Sequence, residues 1–525
     1  MAREKVAIVG SGMAGLATAW ALHNDPSHKF DVTVFEKGNA CALDGYSYAP
    51  PGLTHSRIDI PMRVFSGDYY ANLFKLVAEF NVPAKPRRFL FVFTRERQAR
   101  PYFIHASNGY RKIPPLPMPN PGILELVQHY VLMLTMALCY ALFAIAIYVF
   151  PPRVGGAGQA SKTETIKQYC NRLWLPNFFL DDYLVPLFSS VATCSHEDFR
   201  NFPAVYITDY KKCTAGQNHN SVTTMQDVQS KLVSNGLRVK LRHPVTKIEN
   251  TPQGLVQVTH VDLDNDSTEY VEGFSKVITA TSSHALAKLY EPARLMASQL
   301  PICEAEVVVH TDYTIMSHVV SSPGVLSSKP LSEFTATEFL SSTEWLNPQS
   351  SNADILALQT RRSPSGEEWT EATHVHSSGL LVTVRPVIYP SKAQETRTVY
   401  GSMNKTPRLP PAYVIDETKV AHKAVFYRML SNPHRRELIQ RAFSEKIPSA
   451  SPNKGFGDEE RLLNGANGPI QERQEWRNGD GHVYAVGSWP CDSLTLLENC
   501  VRTGLKVAET LGAEVPFKVV ERTEF

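Results

Sequence analysis

The chain has 525 residues, of which 43% are hydrophobic, so it is long enough for a large core and for two to four domains. Its formal net charge of +2 produces no global field that would attract nucleic acid, and we expect no nucleic-acid partner. The eight cysteines are scattered, without a C-x-x-C pair or a metal-like cluster. This pattern predicts no metal site and reduced thiols in a protein that faces the cytoplasm.

The N-terminal elements predict a dinucleotide-binding unit. Residues 5–9 (KVAIV) have the pattern of a buried strand, and residues 16–22 that of an apolar helix. Between them, residues 10–15 (GSGMAG) have the G-x-G-x-x-G spacing. Residues 32–35 form a second predicted strand that ends at Glu36. An incidental glycine-rich turn is the alternative, but it would have to imitate all of these parts. The apolar start belongs to this unit, so we expect no signal peptide.

The three glycines and the start of the following helix have physical roles in this interpretation. Gly10 permits a tight turn, Gly12 lets the backbone approach a pyrophosphate, and Gly15 lets the helix pack closely against the strand. Met13 and Ala14 open the helix, whose positive N-terminus attracts phosphate groups. The acid at position 36 lies 21 residues after the last glycine, about where such folds bind an adenosine ribose 2′-hydroxyl.

Further α/β elements lie far downstream. Strands are predicted at 237–241, 244–248, 255–259, 276–280 and 482–486, and helices at 228–233 and 494–511. Two long insertions separate them. The sequence therefore predicts an α/β fold: a Rossmann-like domain built from discontinuous segments, plus an α+β substrate domain with an apolar helix. The predicted bounds are 1–95, 226–300 and 456–525 for the nucleotide-binding segments, and 96–225 and 301–455 for the substrate domain.

The apolar helix lies at 130–150, which is 21 residues without a charge and long enough to span a bilayer. A single crossing would separate residues 10–15 from 482–511, although both must build one pocket. Residues 121–153 are too few for two crossings, which need about 20 residues each. Two interpretations stay open. The segment is a buried helix of the substrate domain, or a monotopic helix that enters one leaflet from the cytoplasmic face. Either one supplies an apolar wall near the substrate path.

Six stretches carry a resemblance to a known group of proteins. They are VAIVGSGMAGLATAWAL (6–22), VTVFEK (32–37), RIDIPMRVFSGDYYANLFKLVAEFNV (57–82), FLDDYLVPLFSSVATCS (179–195), VVVHTD (307–312) and VYAVGSWPCDSLTLLENCVRTGLKVAETLGAEVP (483–516). They resemble the flavin-containing amine oxidase superfamily, which also holds the phytoene desaturases. Several are similar to one branch, the predicted NAD/FAD-binding amine-oxidase-like proteins, which includes bacterial polyunsaturated fatty acid isomerases.

The resemblance implies FAD as the tightly held cofactor. It is expected to be non-covalent, because the sequence has no Ser-Gly-Gly-Cys attachment motif. The implied binding residues are Gly10, Gly12, Met13, Ala14 and Gly15 at the pyrophosphate, Glu36 and Lys37 at the adenosine ribose, Val245 at the adenine, Gly487 and Ser488 at the phosphate and ribityl groups, and Leu497 at the flavin pyrimidine ring. A helix N-terminus at that ring would stabilise the negative charge of a reduced flavin.

The implied activity is hydride transfer from a lipophilic small molecule to flavin N5, with O2 or another acceptor reoxidising the flavin. The sequence departs from the family pattern in three places, and the departures at Pro61 and 495–498 keep a membrane-associated flavoprotein without turnover open. Residues 43–47 lack an expected arginine, Pro61 replaces a glycine, and 495–498 lack a histidine. Among enzymes, amine oxidation, desaturation and double-bond isomerisation of fatty-acid-like substrates stay open. The apolar helix and the lack of a clear aromatic cage favour a lipophilic substrate.

No catalytic residue is assigned from the sequence, and each further candidate has two interpretations. Cys491 is a flavin-facing or a buried structural thiol; Trp489 and Tyr484 are substrate walls or core aromatics; His310 and Asp312 point into a cavity or form a structural pair; Arg63 binds a substrate carboxylate or lies at a surface or a phosphate. Residues 301–320 and 379–402 are expected to form the wall opposite the flavin ring.

Overall fold

The computed structural model describes residues 3–51, 57–96, 100–110, 113–117, 121–156, 158–222, 224–265, 267–317, 319–320, 329–346, 353–388, 414–443 and 476–521. The strands are β1 Glu4–Val9, β2 Phe30–Phe35, β3 Phe65–Ser66, β4 Ala84–Arg87, β5 Phe89–Arg95, β6 Phe103–Ala106, β7 His219–Val222, β8 Arg238–Lys240, β9 Val245–Asn250, β10 Val256–Asp262, β11 Thr268–Phe274, β12 Lys276–Thr279, β13 Ile302–His310, β14 Asp354–Arg362, β15 Glu368–Val375, β16 Leu381–Pro386, β17 Val420–Met429 and β18 Val483–Ala485.

The α-helices are α1 Met13–His23, α2 Ala71–Glu79, α3 Ile123–Val149, α4 Ile166–Arg172, α5 Asn177–Phe179, α6 Val185–Ala192, α7 His196–Arg200, α8 Ala204–Thr214, α9 Met225–Leu232, α10 Ser283–Leu289, α11 Arg294–Ser298, α12 Ala336–Ser342, α13 Pro433–Phe443 and α14 Leu497–Thr510.

A parallel five-stranded sheet joins distant parts of the chain. Its spatial order is β18-β12-β1-β2-β8, and every neighbouring pair is parallel. Numbered along the chain, this is the Rossmann order 3-2-1-4-5. Both faces of the sheet are covered: Val6 and Ile8 pack with α1 and α14, whereas Ala7 and Val9 pack with the β11-β10-β9 sheet and α10. Val6, Ala7 and Ile8 therefore have no exposed surface. The strand order reverses between β1 and β12, and ligands of such sheets bind at the carboxyl ends of the strands there.

The helices α1 and α14 pack against each other beside this sheet. A Cβ atom on Gly504 would lie 2.8 Å from the Ala14 carbonyl oxygen and 2.7 Å from Thr18 Oγ1. Only glycine therefore allows the two helices to approach this closely. The contact ties the C-terminal helix to the glycine turn at the start of α1.

Three further sheets complete the described fold. A seven-stranded sheet has the order β17-β13-β16-β15-β14-β5-β6, and two three-stranded sheets have the orders β11-β10-β9 and β3-β7-β4. The predicted fold class, a discontinuous Rossmann-like domain with a separate α+β part, is confirmed. The predicted segment bounds stay a prediction. The bound between 455 and 456 lies outside the described residues, and β5, at the end of the first predicted segment, belongs to the seven-stranded sheet.

The predicted apolar helix is α3, which begins at Ile123, seven residues before the predicted start. Within the described residues it is the one helix that is long and apolar enough to cross a membrane by length and composition, with a mean hydropathy of 2.3 over its most apolar window. Only 28% of that window is buried. The helix is therefore not enclosed by the rest of this chain, unlike the buried core helix that was one of its two interpretations.

Candidate functional site

The glycine turn forms a cradle at the carboxyl end of β1. Gly10 has a φ of +103°, and a Cβ atom there would lie 2.8 Å from the Ala280 carbonyl oxygen. A Cβ atom on Gly15 would lie 2.0 Å from the Gly10 carbonyl oxygen, so this position also requires glycine. Gly12 differs, because a Cβ atom there would meet no described atom within 4 Å. The backbone is packed tightly on both sides of Gly12 and is open at Gly12 itself.

The start of α1 faces this open position with unpaired donors. Gly12 is the N-cap residue, and within the described structure no side chain caps the helix. The first N–H groups of a helix have no intrahelical acceptor, and the helix dipole adds partial positive charge. Met13 and Ala14 are the first residues of α1 and are buried. The turn can therefore hold an anionic group such as a pyrophosphate.

Glu36 lies at the end of β2 and is 6% exposed. Its carboxylate accepts hydrogen bonds from the Ser11 N–H (3.0 Å), the Ser11 hydroxyl (2.5 Å) and the Gly38 N–H (2.8 Å). The acid thus fixes the glycine turn as well as the residues after β2. Sequence reasoning missed Ser11, which occupies a variable position of the motif. Lys37 is exposed.

Two backbone hydrogen bonds join the segment just before β9, which begins with Val245, to the residues after β2. The His243 N–H donates to the Glu36 carbonyl oxygen (2.8 Å), and the Arg242 N–H donates to the Gly38 carbonyl oxygen (2.9 Å). Val245 follows as the first residue of β9 and is half-buried. The structure therefore brings the residue proposed for the adenine to the side of the acid proposed for the ribose.

The turn after β18 reaches the same edge of the parallel sheet. The Gly487 N–H donates to Thr503 Oγ1 of α14 (2.9 Å), and the same hydroxyl lies 3.0 Å from the Gly487 carbonyl oxygen. The Trp489 indole donates to the carbonyl oxygen of Thr281, next to the Ala280 that touches the glycine turn. Ser488 between them is half-buried. The segments around 10–15, 280–281 and 487–503 therefore meet at one place.

Leu497 is the first residue of α14 and is half-buried. The following residue, Glu498, is 2% exposed and accepts the N–H groups of Asn72 (3.0 Å) and Leu73 (2.9 Å). This carboxylate caps the start of α2 and fixes the position of α14.

Buried arginines of α13 hold the turn after β18, and sequence reasoning missed them. Arg435 has no exposed surface and donates to the carbonyl oxygens of Trp489 (2.9 Å) and Cys491 (3.1 Å). Arg436 forms an ion pair with Asp492 (3.1 Å). Trp489 and Cys491 lie 54 and 56 residues after Arg435 in the chain, so no local sequence pattern could have indicated these hydrogen bonds.

A cluster of charged side chains around Arg63 lies beside the start of α14. Arg63 donates to the Leu43 carbonyl oxygen (3.2 Å), and it interacts electrostatically with Asp59, Cys500 and Arg428. The Nε atoms of Arg63 and Arg428 are buried and have no hydrogen-bond partner among the described residues. Burial lowers the pKa of both guanidinium groups and raises the pKa of Asp59 to about 6. Two partly buried cations, each with a buried Nε donor that has no described partner, are suited to an anionic group.

The other candidates occupy structural positions. His310 has no exposed surface, lies 2.9 Å from Thr383 Oγ1 and accepts the Asp312 N–H through Nδ1 (3.1 Å). Asp312 accepts the N–H groups of Thr314 and Asp416, so this pair is satisfied. Trp489 and Cys491 are buried and Tyr484 is half-buried. In the predicted walls, residues 318 and 389–402 lie outside the described residues.

A cavity of about 810 Å³ lies elsewhere, near β14 and β15. Its lining includes Arg88, Asn218, Glu344 and His376. None of the predicted cofactor-binding residues lines this cavity, and it is not at the reversal point of the parallel sheet. The cradle at Gly12 is therefore the better candidate site, because it combines an open backbone position, a helix N-terminus and a nearby carboxylate, as a dinucleotide requires.

Comparison with known proteins supports the fold. The family description "NAD(P)-binding Rossmann-like domain" matches residues 8–80. No curated protein matches the sequence. A CLA-producing fatty acid isomerase from P. acnes has a similar structure, with a TM-score of 0.54 and 9% identity over 97% of this chain and 99% of that chain. Cyclohexylamine oxidase from Brevibacterium oxydans IH-35A is also similar, with a TM-score of 0.50 and 12% identity over 97% of this chain and 98% of that chain. The chain therefore has the fold shared by these enzymes, which confirms the resemblance to amine-oxidase-like proteins at the level of fold.

Proposed function

We propose that this protein binds FAD non-covalently and oxidises a lipophilic small molecule. The observation that carries the proposal is the open position at Gly12, enclosed by the tight contacts of Gly10 and Gly15. It lies where the order of the parallel strands reverses, with an acid at the end of the neighbouring strand. A dinucleotide requires this combination of an exposed backbone, a helix N-terminus and a ribose acceptor.

The residues at this site fit the successive parts of an FAD molecule. The start of α1 would donate N–H groups to the pyrophosphate. A carboxylate has about four acceptor positions, and donors from the protein occupy three of those of Glu36. The remaining position would accept the ribose hydroxyl. Val245 would lie at the adenine, Gly487 and Ser488 at the ribityl and phosphate groups, and Leu497 at the pyrimidine ring. Bound FAD would supply the hydride acceptor N5, with O2 or another acceptor taking up the electrons.

The protein would contribute orientation and charge rather than a catalytic dyad. The N-terminus of α14 and the guanidinium group of Arg63 would supply positive charge to a reduced cofactor or an anionic substrate. Arg435 and Glu498 hold the turn after β18 and the start of α14 in place. A substrate C–H bond held in fixed geometry by these rigid elements reacts faster because its orientation is already set.

One observation favours a second candidate, double-bond isomerisation of a fatty-acid-like substrate. The buried, unpartnered Nε atoms of Arg63 and Arg428 would suit the carboxylate of such a molecule. Isomerisation leaves no net oxidation, so the two candidates differ in a measurable way. A flavoprotein without turnover is the third outcome, which the departures at Pro61 and 495–498 leave open.

The test is anaerobic mixing of the FAD-loaded protein with fatty acids, terpenoids and amines, followed by absorbance at the flavin bands. Bleaching by a lipophilic, non-amine compound supports the proposal. Bleaching by amines alone indicates an amine oxidase instead. A polyene product without net bleaching indicates the isomerase. Intact FAD with no response to any class would refute an enzymatic role for these substrate classes.

A further inference from the structure

The longest helix of the described structure presents an unusual apolar surface. On α3, the side chains that face the protein are His129, Met136, Cys139, Phe143, Ala146 and Ile147. The opposite face carries Val127, Val131, Leu134, Leu138, Leu142, Ile145 and Val149, each more than half exposed. Both sets recur every three or four residues, so they form two faces of one helix. We call the second set the outer stripe.

We propose that the outer stripe of α3 inserts into the acyl layer of a phospholipid leaflet, with the helix lying in the plane of the membrane. The stripe extends from Val127 to Val149, so at 1.5 Å per residue it runs for about 33 Å. Contiguous apolar surface of this extent marks a membrane or protein interaction site in soluble proteins. The inference does not depend on the proposed flavin chemistry.

The packing of α3 rules out a crossing of the bilayer. Its inward contacts begin at His129 and continue to Ile147, so the protein covers one side of the helix over about five turns. A spanning helix would have to carry this attached protein into the hydrocarbon layer. Both flanks also return to the same fold, through β6 before α3 and α4 after it. The helix can therefore enter a leaflet only sideways, as interfacial helices do.

The side chains around the stripe match the boundary between acyl chains and head groups. Tyr130 and Tyr148 lie near its two ends and are exposed. Trp174 is 92% exposed, and it follows Arg172, which donates to the Pro151 carbonyl oxygen just beyond α3. Tryptophan and tyrosine concentrate at this boundary because they have an apolar ring and a polar atom.

Two basic residues of α8 lie beside α3. Lys211 Nζ donates to the Tyr140 hydroxyl (2.6 Å), and Tyr140 packs against the core, so this ammonium group is held on the protein side of the helix. Lys212 Nζ lies 5.8 Å from the centre of the exposed Tyr148 ring, at the end of α3 where a lipid phosphate would lie. The exposed aromatic rings and this positive charge at the ends of the outer stripe favour a lipid leaflet over a second copy of the chain.

The test is flotation of the purified full-length protein with vesicles of phosphatidylcholine and phosphatidylserine, at low and high salt. We expect the protein to float at both salt concentrations, because apolar contact dominates. The variant Leu134→Asp/Leu138→Asp should lose at least about a hundredfold in vesicle affinity, since each buried leucine contributes about tenfold or more. The matched control is Leu295→Asp, which changes a leucine of α11 that is 45% exposed.

Two further measurements keep the result interpretable. Circular dichroism and flavin content show whether the double variant still folds. If it does not fold, tryptophan emission of the unaltered protein on vesicles replaces it, and we expect a blue shift that Trp174→Phe removes. A protein that does not float would overturn the proposal. So would a dimer in solution that the double variant converts to monomers, because the stripe would then bind a second copy. Equal loss of affinity in Leu295→Asp would also contradict it.

Discussion

Replacing Gly12 by valine separates the role of the cradle in cofactor binding from its role in the fold. Gly12 has φ −70° and ψ −179°, a conformation that any residue adopts. A Cβ atom there meets no described atom within 4 Å, so the valine side chain can be accommodated in the protein alone. The cost to the fold is the poorer N-cap, about 1 kcal/mol or less. The apo-protein should therefore melt within a few degrees of the unaltered protein.

The expected cost to FAD binding is much larger, because the valine side chain would occupy the position at which the proposed pyrophosphate approaches the backbone. Losing two charge-assisted hydrogen bonds, at about 1.5–3 kcal/mol each, removes about 3–6 kcal/mol of binding free energy. This corresponds to roughly a hundredfold to ten-thousandfold weaker binding. The purified variant should be colourless, and titration with FAD should show little binding at micromolar concentrations.

The matched control is Gly15→Ala, where the new Cβ atom would lie 2.0 Å from the Gly10 carbonyl oxygen. This smaller substitution should destabilise the apo-protein, because backbone atoms must shift to relieve the overlap. Flavin content and thermal melting of both variants form the assay. Full flavin content in Gly12→Val, or loss of its fold with Gly15→Ala unaffected, would refute the assignment of the cradle.

Three other substitutions test neighbouring features. Glu36→Ala should weaken FAD binding by about 1–3 kcal/mol and also lower the melting temperature of the apo-protein, since the glycine turn loses its acceptor; unchanged melting would contradict this second role. Burial raises the pKa of Asp59 to about 6, above its ordinary 3.8, so its ionisation should destabilise the fold by up to about 3 kcal/mol as pH rises from about 4 to 6; Asp59→Asn should remove this part of the pH dependence in urea melts. Gly504→Ala should lower stability by about 1–3 kcal/mol through its contact with α1, and an unchanged urea midpoint would count against that packing.

The sequence predicts well those parts of the fold that depend on local patterns. The strand, glycine turn and helix at the N-terminus follow from apolar periodicity and glycine spacing, and β1 and α1 lie where these patterns place them. The seven-stranded sheet was not predicted, because its pairs bring together segments such as β5 and β14, which are far apart in the chain. No local pattern specifies such a pairing.

Polar residues account for the other differences between the sequence-based predictions and the structure. The predicted helix at 130–150 was bounded by the absence of charge, but α3 begins at Ile123 because Glu125 accepts the Gly122 N–H (3.0 Å) and favours the helix N-terminus. Arg435 is charged and has no exposed surface, so composition alone would place it outside. It is buried because the carbonyl oxygens of the turn after β18 satisfy it.

The central claim is that the chain holds FAD without a covalent bond in the cradle at Gly12. The most direct measurement is the visible spectrum of the purified protein, before and after acid precipitation. We predict a flavin spectrum, with stoichiometric FAD released into the supernatant and reversible reduction of the intact protein by light. A colourless protein that binds no FAD on titration, or flavin that stays with the precipitate, would contradict the claim.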